Sequence, residues 1–261
     1  MLAKKLPALF IGHGSPMNAV SDNPYTQEWE VLGKSLPKPT LILMISAHWY
    51  TRGIAVTAMT QPKTIHDFGG FPEALYQVEY PAAGSPELAQ KVADLLAPEH
   101  VHLDKSEWGL DHGTWEILVR MYPDADIPVV QLSIDGTKPP AWHLEIGRKL
   151  ATLREQGVMI MGSGNVVHNL REMNWKNDQV EAYSWASSFE KFVYDNLSSQ
   201  EVPHPLTQAL DREDGKRSNP SPEHFLPLLY VLGTWDGKEV ISAPTEGIVS
   251  GSLSMLSVQV G

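Results

Sequence analysis

The chain has 261 residues and no cysteine, with 31 acidic against 20 basic side chains and a net charge of -11. This excludes disulfides, thiolate metal sites, iron–sulfur clusters and a cysteine nucleophile. It also argues against attraction to nucleic acid or anionic lipid, since no run of Lys or Arg offers a local patch. Met1 to Pro7 is too short for a signal peptide, and no apolar stretch approaches the roughly 20 residues that cross a bilayer, so a cytoplasmic protein is expected.

Without internal repeats or a long linker, the chain reads as a single domain. Apolar runs of strand length recur at Ala8–Ile11, Leu41–Ile45, Ile54–Met59, Pro128–Leu132 and Val158–Met161. They lack clean polar alternation, which suits strands covered on both faces. Ser85-Pro86-Glu87 opens a helix with an N-cap, a first-turn proline and an early acid, and Leu88, Val92, Leu95 and Leu96 form its stripe. Further helices are predicted over Thr114–Met121, Pro140–Gln156 and Ser184–Leu197, and from near Pro222, behind a Ser221 cap, to Leu232. Ser252–Val260 reads as a final strand at a sheet edge. Such a strand serves a homodimer contact or a covered edge equally well, so monomer and homodimer both stay open. Alternating strands and helices predict an α/β fold: a three-layer sandwich with a central, largely parallel (mixed) β-sheet flanked by helices.

Histidine is the remaining source of nitrogen ligands, and there are ten. Two strands run directly into one: Leu9-Phe10-Ile11-Gly12-His13-Gly14-Ser15-Pro16 and Leu43-Met44-Ile45-Ser46-Ala47-His48-Trp49. The strand Val158–Met161 turns through Gly162-Ser163-Gly164-Asn165 and reaches His168 about one helical turn later, and His224 falls in the first turn of the Ser221-capped helix. In a parallel sheet these positions can face one crevice outside the strands' carboxyl ends, and the glycines flanking His13 would let the backbone approach a ligand. Taken singly, each histidine is more simply a hydrogen-bonded loop residue. Taken together they suggest a site, because three neutral imidazoles on rigid elements hold Zn²⁺ or Fe²⁺ and leave positions open. His112, just ahead of a helix, is a candidate donor or proton carrier, and equally a member of a capping loop packed by tryptophans. The loop Ile65–Pro72 suits either a mobile cover or a packed turn. His100, His102, His143 and His204 are given no role. There is no H-E-x-x-H; Gly162-Ser163-Gly164 is not a nucleophile elbow, and Gly12-His13-Gly14-Ser15 lacks phosphate-loop spacing.

With these segments in view, the chain resembles the class III, LigB-type extradiol ring-cleaving dioxygenases, and within them the bacterial DOPA 4,5-extradiol dioxygenase branch. The resemblance runs almost end to end, through Gly12-His13-Gly14-Ser15-Pro16-Met17, Ser46-Ala47-His48-Trp49, Asp67-Phe68-Gly69-Gly70-Phe71-Pro72, Asp111-His112-Gly113-Thr114-Trp115, Ser163-Gly164-Asn165-Val166-Val167-His168-Asn169 and Pro222-Glu223-His224. It implies that His13, His48 and His224 hold one divalent metal ion per chain, Fe²⁺ for oxygenase activity, with Zn²⁺ as the alternative occupant. It implies that His168 is an acid/base near the metal or a fourth ligand, and that His112 contacts substrate or oxygen. Ser15, Asp67 and Arg52 lie in segments within reach of a substrate. One departure matters: protocatechuate-type members use two histidines and a glutamate, whereas here the third position is His224 with Glu223 beside it. Adjacent helical residues point about 100° apart, so only one of the two is expected to bind. The implied reaction is O₂-dependent cleavage of a catechol beside its diol, giving a muconate semialdehyde (seco-DOPA from DOPA), with residues 1–261 forming the catalytic domain. Two other classes stay open, a zinc-dependent hydrolase in which three histidines activate water and a non-enzymatic interaction protein on the same scaffold.

Overall fold

The computed structural model describes residues 5–261; the first four residues of the Met1–Pro7 segment lie outside the described residues. In chain order the elements are β1 (Ala8–Gly12), α1 (Pro24–Ser35), β2 (Leu41–Thr51), β3 (Ile54–Thr57), α2 (Glu73–Tyr76), α3 (Pro86–Leu96), β4 (Val101–Asp104), α4 (His112–Met121), β5 (Val129–Asp135), α5 (Pro140–Leu150), β6 (Val158–Gly164), α6 (Ser184–Asp195), α7 (Glu213–Ser218), α8 (Leu226–Gly233), β7 (Ile241–Ser242), β8 (Ile248–Val249), β9 (Leu253–Ser254) and β10 (Val258–Val260). Eight strands form one sheet in the order β4-β3-β5-β2-β6-β1-β10-β7, while β8 and β9 make a separate ribbon. The block β5-β2-β6-β1 is parallel, and the antiparallel pairs lie outside it at β3–β5, β1–β10 and β10–β7.

The missing alternation in the strands has the expected cause. Every residue of β1, β5 and β6 is buried. Ala8, Phe10, Leu43, Ile45 and Ile160 pack with residues of α3, α5 and α8, while Leu9, Ile11, Ile42, Met44, Met159 and Met161 pack with residues of α1 and α4. Side chains that alternate across a strand thus meet helices on both faces, and all of them are apolar. This is the three-layer α/β sandwich with a mixed, mostly parallel sheet. No helix among the described residues is long and apolar enough to cross a membrane.

Several boundaries differ from expectation. The tail is not one edge strand: β9 joins the small ribbon, and β10 is paired on both sides, by β1 and β7, so the edge is the two-residue β7. The predicted helix Pro140–Gln156 is α5 followed by a 3-10 segment, Ala151–Gln156, closed by Gly157 in the left-handed region at φ 79°. The last helix starts at Leu226, not near Pro222, and Ser221 does not cap it; the Ser221 hydroxyl donates instead to Glu223 Oε1 at 2.8 Å. His224 therefore sits in the turn ahead of α8, whose eight residues are all buried. His112 is the first residue of α4 and not part of the preceding loop, because Asp111 is the N-cap.

Candidate metal centre

At the carboxyl ends of the parallel block, β1 delivers His13 and β2 delivers His48. The register of β2 against β5 shifts between Ile45 and Tyr50, so Ser46–Trp49 bulge out of the ladder, a device that re-aims a side chain. His13 and His48 come from strands separated by β6, yet their Nε2 atoms lie 3.4 Å apart. The turn before α8 brings His224 to the same point. The ring centroids of His13, His48 and His224 form a nearly equilateral triangle with sides of 5.2, 5.3 and 5.1 Å.

Each of these rings has an oxygen at Nδ1. Ser163 Oγ stands 2.9 Å from Nδ1 of His13, Glu223 Oε1 3.3 Å from that of His224, and Asp67 Oδ2 3.4 Å from that of His48. The carboxylates beside His224 and His48 favour a proton at Nδ1, which leaves Nε2 as the lone pair, and the Ser163 hydroxyl can accept from His13 in the same sense. At His224 that Nε2 is buried and has no hydrogen-bond partner. Burial, reinforced by the neighbouring histidines, holds His13 and His224 well below the usual imidazole range, and pushes His48 down to about 3. All three are therefore neutral at pH 7, the protonation state a metal requires.

Two more histidines complete the cluster. His168, its backbone fixed by a bond from the main-chain N–H to Ser218 O (2.8 Å) and by a bridge to Leu253, stacks on His224 with centroids 3.4 Å apart and planes 5° from parallel. Burial lowers its pKa to about 4. His112 lies 3.8 Å from His48 by ring centroid, and its backbone N–H donates to Asp67 Oδ1 at 2.9 Å. Possible ligand atoms of His13, His48 and His112 lie within 4.8 Å of one another, as do those of His168, Glu223 and His224, so two triplets adjoin.

The family profile described as the catalytic LigB subunit of aromatic ring-opening dioxygenase matches residues 7–254. The chain belongs to the LigB family. This LigB-family chain is 61% identical over 263 residues to 4,5-DOPA dioxygenase extradiol of Escherichia coli (strain K12), covering 100% of this chain and 97% of that one. It is 41% identical over 236 residues to the Beta vulgaris protein of the same name, covering 86% and 85%. A crystal structure of an uncharacterized Escherichia coli K12 protein superposes with a TM-score of 0.88 at 56% identity, over 98% of this chain and 100% of that one. The chain is thus a dioxygenase by family, on the fold its sequence predicts.

Not every expectation about the LigB centre carries over unchanged. Both carboxylate oxygens of Asp67 face histidines, Oδ1 being also 3.0 Å from His112 Nδ1. Burial raises the Asp67 carboxyl, but His112 and then His48 outweigh it and leave it below its ordinary value. Ser15 caps a 3-10 turn, its Oγ accepting from Met17 N–H at 3.3 Å. Arg52 is exposed in the turn between β2 and β3. The glycines flanking His13 serve packing: a Cβ on Gly12 would stand 2.7 Å from Leu256 O, and Gly14 adopts φ +74°. Glu223 and His224 touch because they occupy a turn, where the helical 100° spacing does not apply. The loop Ile65–Pro72 is a packed turn at its base, with Phe68 against Phe71, Tyr76, His112 and Trp115.

Sequence reasoning missed the support beneath the histidines. Ser46 donates to Asp111 Oδ1 at 2.7 Å and accepts from His48 N–H at 3.2 Å. Asp111 also receives Thr114 N–H, Trp108 Nε1 and Gln131 Nε2. Burial, then Asp67, pushes its carboxyl up to about 6. A signal existed for Ser46, since residues two apart in a strand share a face. Ser163 stood in the sequence only as the head of the Ser163–Asn169 segment, and its contact with His13 arises through the parallel register Ile11↔Ser163. Ser163 is fully buried, which leaves it no access to a substrate as a hydrolase nucleophile.

Proposed function

We propose that the chain cleaves the ring of a catechol of the L-DOPA type beside its diol, using O₂ and one divalent metal ion held by His13, His48 and His224, to give a muconate semialdehyde (seco-DOPA). The observation that carries this reading is the triangle of neutral imidazoles, each with an oxygen facing its Nδ1. Three imidazoles around one ion, bonded at about 2.1 Å, place their centroids about 5 Å apart. The observed sides of 5.1 to 5.3 Å fit that arrangement. The alternative triplet fits less well, since His112 is 3.8 Å from His48 but 6.0 Å from His13. The buried, unpartnered Nε2 of His224 is costly unless something occupies it, and an ion does so. The names of the 61% and 41% identical relatives support DOPA as the substrate. Fe²⁺ is the ion assigned for the oxygenase reaction; Zn²⁺ fits the same donors.

When bound, the ion supplies Lewis acidity toward the two catechol oxygens and a path for electrons to O₂. The remaining work falls to the chain. His168 is assigned the acid/base role and not that of a fourth ligand: lone pairs lie in the ring plane, and parallel rings 3.4 Å apart aim theirs side by side, not at one point. Neutral at pH 7, it accepts a catechol proton at a ring nitrogen and returns it as the ring opens, help typically worth ~10²–10⁴ in rate. His112 contacts the substrate or oxygen from the amino end of α4. Phe68 packs edge-on against it and is backed by Tyr76 and Trp115, which makes that flank apolar. Residues 1–261 act as one catalytic domain.

The test is reconstitution of metal-free protein with Fe²⁺ or Zn²⁺, addition of L-DOPA, and simultaneous recording of O₂ uptake and the visible spectrum. Stoichiometric uptake with a yellow product in the iron sample alone is expected. Failure with L-DOPA and other catechols at confirmed metal content would contradict the reading, and hydrolysis by the zinc form would replace it.

A further inference from the structure

Asp67 stands between two histidines that no shared element holds together. His48 comes from the bulge of β2 and His112 from the first residue of α4. Asp67 Oδ2 is 3.4 Å from His48 Nδ1, and Oδ1 is 3.0 Å from His112 Nδ1. Both contacts are at ion-pair distance and off the hydrogen-bond axis, so the carboxylate faces the two rings chiefly through its charge. Oδ1 also accepts the His112 backbone N–H at 2.9 Å. The loop is held in place by other means. Ile65 N–H donates to Leu110 O at 2.7 Å, His66 Nε2 lies 2.9 Å from Val78 O, and Trp115 Nε1 donates to Ile65 O at 2.8 Å. The carboxylate is thus not needed to hold the loop, and its side chain is spent on the two rings.

A negative charge beside Nδ1 favours the ring tautomer with its proton there, turns that edge of the ring toward the carboxylate and leaves Nε2 as the lone pair. At His48 that lone pair belongs to the metal triangle; at His112 it belongs to the substrate side. We propose that Asp67 is a positioning residue, a single carboxylate that sets the tautomer and orientation of His48 and His112 together and so couples metal retention to the placement of the substrate-contacting histidine. The metal half of this rests on the donor set alone; the substrate half rests on the ring-cleavage reading above. It also places Asp67 outside the group of residues that bind a substrate ammonium.

Two bland roles compete, a helix cap for α4 and an ammonium site for an amino-acid substrate, and Asp67→Asn separates them. The amide still offers Oδ1 to the His112 N–H, so a cap survives, but it loses the charge shared by the two rings. Zn²⁺ affinity of the metal-free protein, measured by competition with a chromophoric chelator, is expected to fall about 10- to 100-fold. The iron form should lose kcat by one common factor with L-DOPA and with 3-(3,4-dihydroxyphenyl)propionate, which lacks the ammonium. Asp67→Glu, which keeps the charge on a longer arm, is expected to retain more Zn²⁺ affinity than Asp67→Asn. Zn²⁺ affinity of Asp67→Asn within twofold of the parent would overturn the proposal, as would Asp67→Glu binding no better than Asp67→Asn. A KM increase confined to L-DOPA with Zn²⁺ binding intact would assign Asp67 to the ammonium instead. Failure of the ring-cleavage reading shows separately, as absent O₂ uptake in the parent protein, and leaves the Zn²⁺ comparison able to decide.

Discussion

At the scale of single residues, the centre divides its histidines by what each ring nitrogen faces. His13 and His224 are buried with an oxygen at Nδ1, and His224 Nε2 has no partner in the protein. His168 lies flat on His224, where its lone pairs run beside those of His224 and do not converge on one point with them. This difference predicts a split among alanine variants. His13→Ala, His48→Ala and His224→Ala should each lose bound metal, and activity with it, as read by metal analysis after gel filtration. His168→Ala should retain metal while kcat falls ~10²–10⁴-fold. Loss of metal from His168→Ala equal to that of the other three would return His168 to the ligand set.

At the scale of elements, the site depends on α4 lying tight against the end of β2. A Cβ on Gly113 would stand 2.7 Å from Ser46 Oγ and 2.8 Å from His48 Cδ2. Gly113→Ala must therefore push either the helix or His48, and it is expected to weaken metal binding about tenfold or more with little loss of helix content, checked by metal titration beside circular dichroism. The same elements show what was legible beforehand. The core strands declared themselves because burial on both faces makes each an unbroken apolar run, and His13 and His48 were visible as the residues those runs end on. Helix α1 leaves little trace in the sequence, because its buried set is only Thr26, Trp29 and Leu32, a thin stripe; its Asn23-Pro24 opening, a capping box with a first-turn proline, is the one local signal. The place of β10 between β1 and β7 was hidden because inner and edge strands share a pattern when a two-residue strand covers the edge. Ser163 and Asp111 reach the centre through strand register and tertiary contact, which no local spacing encodes.

At the scale of the whole molecule, one buried cation ties distant parts of the chain. Arg154 is fully buried and donates to Leu6 O (2.7 Å), Thr234 O (3.0 Å) and Val260 O (2.9 Å), and it meets both carboxylate oxygens of Glu239. Arg154→Met strands these acceptors and should cost about 3–5 kcal/mol in urea unfolding, with activity per folded molecule retained.

Acid sensitivity has a definite sign. Burial first of all lowers His13, His48, His143, His168 and His224, with His143 at about 4 in the α5–α8 contact. Unfolded, each takes up a proton near pH 6.5, so between about 6.5 and 4 the unfolded chain binds more protons and stability falls with falling pH. Asp111, at about 6, acts in the opposite sense below that pH, and Glu116, raised by burial, acts in the same opposite sense, but these groups are fewer. Metal-free protein should therefore be less stable at pH 5 than at pH 7. His143→Leu should shrink that difference by about 2 kcal/mol, whereas an unchanged slope would contradict the assignment. Metal at 100 times its Kd should add about 2.7 kcal/mol to the stability of the loaded protein at pH 7, seen as a higher Tm that chelator reverses.

The proposed ring cleavage brings both atoms of O₂ into one product. The direct measurement is a single turnover of the iron-loaded protein with L-DOPA under ¹⁸O₂, the aldehyde being trapped by borohydride before it exchanges with water, followed by mass spectrometry. A ring-opened product carrying two heavy oxygen atoms is expected. An intact ring, or a product whose added oxygen comes from water, would contradict it.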